Sequence, residues 1–103
     1  MRIAIASSDG KNVNEHFGRA GEFLIFELSE GAPTFVEKRE VTPLSVGDKG
    51  HEFDAKRFRS VLDKISDCSR VYVTKIGIKP AEELQRHGIK TILYKDAIAT
   101  ISP

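Results

Sequence analysis

Arg2-Ile3-Ala4-Ile5-Ala6-Ser7-Ser8-Asp9-Gly10 opens the chain with a run of Ile and Ala that stops at a polar Ser-Ser-Asp-Gly. The apolar run reads as a buried strand and the polar residues as the turn that ends it. After a polar stretch with two glycines, Glu22-Phe23-Leu24-Ile25-Phe26-Glu27-Leu28 is aromatic and β-branched enough for a second strand. Ser29-Glu30-Gly31-Ala32-Pro33 is a turn, and residues 34–41 mix apolar and charged positions as a solvent-facing third strand does. The short connection makes strands two and three a hairpin.

Residues 42–53 carry Pro43, Gly47 and Gly50 and follow neither period, which predicts a loop of a length that either serves a function or lacks order. Asp54 is placed to cap the next helix, where Phe58, Val61, Leu62 and Ile65 fall on one face. Residues 70–74 form a fourth strand. Pro80 sits near the start of a second helix with Ala81, Leu84 and His87 on one stripe and Gly88 as its stop. Residues 90–94 form a fifth strand, and residues 96–101 at most a short terminal helix.

This order predicts the α/β class, with a mixed five-stranded sheet flanked by helices and right-handed parallel crossovers. Phe23, Ile25, Val71, Val73 and Ile92 should share one core with Phe58, Leu62 and Ile65. Ligands of such sheets sit beyond the carboxyl ends of the parallel strands. Those ends are residues 7–16, 75–79 and 95–96.

With 103 residues the chain has the length of one domain, residues 1–103. A net charge of +1, from 16 basic and 15 acidic side chains, argues against nucleic acid as the main partner. A lone cysteine, Cys68, forms no internal disulfide and fits a reducing compartment. The first apolar run ends too early for a signal-peptide core, and no run approaches the roughly 18 apolar residues of a membrane span. A cytoplasmic protein without a membrane association is expected. Charges on the third strand at Glu37, Lys38, Arg39 and Glu40 would discourage edge pairing, which favours a monomer.

Asn14-Glu15-His16-Phe17-Gly18-Arg19-Ala20 lies in the polar connection between strands one and two. Phe17 would anchor this loop in the core, Gly18 would permit a backbone shape that residues with a Cβ avoid, and His16 would be accessible. On chemistry alone His16 has two roles open to it, a ligand or a plain polar cap of a short turn. Cys68 likewise reads either as a soft ligand or as a small buried hydrophobe, the latter favoured by its place at the sheet edge opposite the strand carboxyl ends. His51, in Lys49-Gly50-His51-Glu52, is either a second ligand on a loop that folds over or a surface residue. His87 suits the negative end of its helix.

Several of these stretches together resemble one family. They are Ile3-Ala4-Ile5-Ala6-Ser7-Ser8-Asp9-Gly10, Val13-Asn14-Glu15-His16-Phe17-Gly18-Arg19-Ala20 leading into Phe23-Leu24-Ile25-Phe26, and Asp67-Cys68-Ser69-Arg70-Val71 with Lys75-Ile76-Gly77. The chain is similar to the dinitrogenase iron-molybdenum cofactor biosynthesis family, which includes NifX-like and NafY-like carriers and the carboxy-terminal domain of NifB. The match runs over nearly the whole chain, with His-Phe-Gly as its most specific part. The resemblance implies a ribonuclease H-like fold holding an anionic iron-sulfur or iron-molybdenum cluster, with the histidine of His-Phe-Gly as metal ligand. Carried over, that ligand is His16. His51 would be an accessory cofactor-binding residue, and Arg19, Lys49 and Lys75 would supply positive charge to the cluster. Some relatives have cysteines where residues 43–53 have none, which speaks against multi-thiolate binding here.

Enzyme readings fare poorly. The first strand lacks the carboxylate that a magnesium-dependent nuclease of this fold needs, and no phosphate-binding or dinucleotide loop is present. The expected function is therefore to carry a metallocluster, the iron-molybdenum cofactor or an iron-sulfur precursor, from a donor to an acceptor protein. The alternative is a regulatory or protein-interaction module of the same fold with no bound cluster.

Overall fold

The computed structural model describes residues 1–43 and 54–103. The loop expected over 42–53, with Lys49 and His51, lies almost entirely outside the described residues. Five strands form one sheet: β1 (Arg2–Ile5), β2 (Glu22–Glu27), β3 (Thr34–Glu40), β4 (Arg70–Val73) and β5 (Lys90–Leu93). Their spatial order is β3-β2-β1-β4-β5. β1 runs antiparallel to β2 and parallel to β4, and β4 is parallel to β5, so the sheet is mixed as expected. The β2–β3 hairpin turns through Gly31, whose φ of 80° belongs to the left-handed region, and its register shifts at Ile25/Phe26.

Side chains alternate across this sheet and split the core in two. Ala4, Ala6, Phe23, Ile25, Val71 and Val73 face one side, where they meet Phe58, Val61, Leu62 and Ile65 of α1 (Ala55–Ile65) and Leu84 of α2 (Ile78–Arg86). Ile3, Ile5, Leu24, Phe26 and Tyr72 face the other, under Val13, Ile98 and Ile101. The small Ala4 and Ala6 leave room for helices on the first face, while bulkier Ile3 and Ile5 fill the second, which among the described residues is covered by Val13 and the segment around Ile98 rather than by an α-helix. Those segments are pinned by Val13 N–H donating to the Asp96 carbonyl at 3.0 Å and Ile98 N–H to that of Lys11 at 2.8 Å.

Both α-helices pack on the same face of the sheet, and the terminal segment, expected to be at most a short helix, forms a 3-10 turn, Ile98–Thr100. Two expectations need correction. Ile92 lies opposite Tyr72 in the register and packs, half-buried, with the second cluster, since one step along a strand moves a side chain to the other face. His87 is not on a packed stripe. It is the exposed C-cap of α2, followed by Gly88 at φ 78°.

Asp54 caps α1 as expected, accepting from the amides of Lys56 and Arg57 at 3.0 and 3.1 Å. On the helix side of the sheet, Arg39 of β3, paired with Phe23, reaches Asp67 through both terminal nitrogens, at 2.5 and 3.0 Å, and donates to the Lys64 carbonyl at 2.8 Å. Arg2 reaches the same carboxylate at 3.1 Å. This fork ties the outer strand to the end of α1 and holds the Asp67 carboxyl well below its ordinary range, with the Arg39 hydrogen bonds as the main cause.

Val73 is fully buried between the helices and the sheet. Val73→Asp should leave an unpaired carboxylate there and cost about 4 kcal/mol or more, or prevent folding. A thermal melt followed by circular dichroism checks this, and a wild-type midpoint would show that the strand does not face the core.

Candidate functional site

β1 ends in a turn whose shape comes from one carboxylate. Oδ1 of Asp9 accepts from the amides of Lys11 and Asn12 at 2.8 and 2.9 Å and from the Ser7 hydroxyl at 3.2 Å. Those hydrogen bonds, the Asn12 amide first, lower the Asp9 carboxyl from 3.8 to about 2. Gly10 follows at φ 74°, a conformation that side chains disfavour. Asn14 then clips to Ser8, accepting from its amide at 2.9 Å and donating to its hydroxyl at 3.0 Å.

The next residues return to the sheet. The Ala6 carbonyl accepts from the amides of Asn14 and Glu15 at 3.2 and 3.3 Å. Thr74 N–H donates to the Glu15 carbonyl at 3.0 Å, and Phe17 N–H donates to the Lys75 carbonyl at 2.9 Å. His16 and Lys75 thus form an isolated parallel bridge beyond the carboxyl ends of β1 and β4. Phe17 is 1% exposed and packs its ring at 5.7 Å from Phe23 and 6.2 Å from Phe58. An aromatic anchor on one side and a backbone bridge on the other hold His16 in place.

His16 is half-buried and precedes the 3-10 turn Phe17–Arg19. Its carbonyl accepts from the amides of Arg19 and Ala20 at 3.2 and 3.1 Å, while its side chain makes no capping bond. The capping reading of the imidazole therefore does not describe this histidine; the backbone does that work. Gly18 lies inside the turn, and its φ is not among the positive glycine values, so the special backbone expected there belongs to Gly10 instead.

The expected positive residues divide. Lys75 is exposed next to His16 through the bridge, and Arg19 is exposed at the end of the same turn. Alongside lies a feature that sequence reasoning missed, a cavity of about 250 Å³ lined by Ser7, Ser8, Glu15, Gly21 and Glu22. Extending the antiparallel β1/β2 register beyond Ile5 and Leu24 brings Glu22 next to Ser7, a proximity visible only once the hairpin register is known. The edge thus carries carboxylates on its β2 side and His16 with Lys75 on its β4 side. An anionic ligand is favoured on the latter. Among the described residues, no three His, Cys, Asp or Glu side chains are grouped to hold a metal ion.

Cys68 lies just before β4, at the edge opposite His16. It is 4% exposed, and burial, followed by the nearby Asp67 carboxylate, pushes its thiol up to about 12. A thiol so raised is no ready ligand at neutral pH, in keeping with its packing in the helix-side core.

The Asp9 turn carries a pH signature. A carboxyl lowered on folding contributes stability above its unfolded pKa and loses it as pH falls through the folded value. Asp9→Ala should therefore be less stable than wild type at pH 7, with the gap narrowing between about 4 and about 2. Urea midpoints at pH 7 and pH 3 check this, and a gap that ignores pH would show that the carboxylate does not organise the turn.

The family model for the dinitrogenase iron-molybdenum cofactor matches residues 1–101. The FeMo cofactor biosynthesis protein NifB of Frankia alni is 35% identical over 93% of this chain, which spans only 19% of that protein's length. Protein NifX of Rhodobacter capsulatus is 28% identical over 93% of the chain and 60% of its own length. Among solved structures, the crystal structure of PH0822 superposes with a TM-score of 0.68 at 25% identity, covering 96% of this chain and 84% of that one. No helix among the described residues is long and apolar enough to cross a membrane. A family model that accounts for all but the last two residues, on a fold shared with a solved relative, places this chain in the dinitrogenase iron-molybdenum cofactor family.

Proposed function

We propose that this chain binds a preassembled iron-sulfur or iron-molybdenum cluster as cargo and hands it to an acceptor protein without transforming it. The observation that carries this reading is His16. Its backbone is fixed by Thr74, Lys75 and the Phe17 anchor, yet its imidazole has no capping duty at the carboxyl edge of the parallel strands. Imidazole is a common donor to iron, and it is strongest when its direction is set in advance. Lys75 and Arg19 would add positive charge for an anionic cluster. His51, outside the described residues, remains a candidate accessory contact.

Carriage requires release. One protein donor with charge complementarity leaves most of a cluster's own coordination untouched and lets an acceptor compete, whereas a closed set of four ligands would retain it. The strand order with β1 central and β2 antiparallel supports the ribonuclease H-like reading, and one sheet with two clusters on its faces supports a single working domain. We place the carrier in the cytoplasm, where a reduced cluster and a free Cys68 are both compatible with the redox poise.

The test is anaerobic binding of intact isolated cluster at pH 8, read by iron and molybdenum retained after gel filtration. His16→Ala should bind at least about tenfold more weakly, the scale of one lost coordinate bond or its orienting partner. Cys68→Ala should bind as wild type does. Equal loading of wild type and His16→Ala removes His16 as ligand, and failure of the folded wild type to bind any cluster favours the interaction-module reading.

A further inference from the structure

The expectation of a monomer rested on the charged outer strand β3, but the sheet has a second edge. β5 is its last strand on the other side. Lys90 N–H donates to the Ser69 carbonyl and Tyr94 N–H to that of Val73, so residues 90, 92 and 94 turn their backbone groups toward β4. By the alternation of a parallel ladder, Thr91 and Leu93 present theirs outward. This edge also carries an exposed apolar knob, Leu93, which is 63% exposed. Between α2 and β5 runs a groove of about 770 Å³ whose lining includes Ala81, Glu82, Gln85, Ile89 and Thr91. Among the described residues, the Thr91 hydroxyl is buried there without a hydrogen-bond partner.

Knob and groove lie toward opposite ends of the same strand, which makes the edge self-complementary about a two-fold axis. We infer that a second copy of this chain occupies the groove, through antiparallel pairing of β5 with β5 about an axis at Ile92. In that register Thr91 of one copy faces Leu93 of the other, the two outward-facing residues whose N–H and C=O groups then bond to each other. Opposed residues share a face, so Leu93 of the second copy enters the helix-side groove above Thr91. Continuing the alternation brings Lys95 of the second copy opposite Ile89, beside Glu82. Both Lys95 and Glu82 are exposed, and the pair occurs twice by symmetry. Lys90 meets Tyr94, so no like charges are opposed. The result is a ten-stranded sheet that leaves the His16 edge of each copy open.

Sedimentation equilibrium of the cluster-free chain tests this independently of the carrier reading. The wild type should show a reversible monomer–dimer equilibrium. Leu93→Lys should be monomeric with an unchanged far-ultraviolet circular dichroism spectrum. Glu82→Lys should weaken the dimer at least tenfold, and Glu82→Lys with Lys95→Glu should restore it. If Leu93→Lys fails to fold, the charge-exchange pair carries the test, because both side chains lie on the surface. A wild type that stays monomeric at all concentrations overturns the inference, as does a dimer that ignores these substitutions. A monomer that takes up an extended segment of another protein along β5 overturns it too, assigning the groove to a different occupant.

Discussion

The Ala6 carbonyl at the end of β1 is the point on which the candidate site depends. β1 is buried on both faces and bonded on both sides, so its end is firmly held. From there two amides, of Asn14 and Glu15, close the excursion through residues 7–13 onto a single acceptor, and the chain continues directly into hydrogen bonds with the end of β4. Had β1 been an edge strand, the same loop would have had water on one side and no register to follow. Because it is central, the backbone of His16 is held as firmly as that of a strand although it belongs to a connection. Loops positioned in this way by a rigid sheet are where binding residues tend to gather.

The turn that makes the excursion possible is held by local polar contacts rather than by apolar packing. Asp9 gathers two amides and a hydroxyl, and Ser7, only 1% exposed, spends its own hydroxyl on Asp9 and on the Gly10 amide. Apolar packing enters with Val13 on one face of the sheet and Phe17 on the other. This division shows how a polar stretch can present a half-buried imidazole on a backbone tied down by turn and bridge hydrogen bonds. It also sets the electrical character of the edge, with Glu15 and Glu22 lining a cavity on one flank and Lys75 on the other. A ligand of delocalised negative charge, such as the proposed cluster, would meet a gradient there.

Much of the fold was legible in the sequence because period and punctuation agreed: Asp54 capped α1, Gly88 ended α2, and the five strands fell where their apolar runs lay. What was not legible depended on parity and register. Ile92 went to the second face because its partner is Tyr72, a fact that β5's own four residues do not encode. Glu22 joined the edge only through antiparallel pairing with β1, and Gly18 proved to be an ordinary member of a 3-10 turn while Gly10 took the left-handed position. The importance of β5 as an edge followed from strand order, which comes from tertiary pairing and not from local pattern. The His-Phe-Gly stretch made His16 a candidate, but its backbone bridge to Lys75 was not legible, since those residues are far apart in the chain.

The central claim is that the His16 imidazole is the donor through which this chain holds its cargo. Pulsed electron paramagnetic resonance on cluster-loaded protein, prepared with 15N-labelled histidine, measures that bond directly. The account predicts a strongly coupled 15N nucleus in the wild type, retained in His87→Gln and lost in His16→Gln. A loaded wild type without such a nitrogen, or a coupling that survives in His16→Gln, would contradict it.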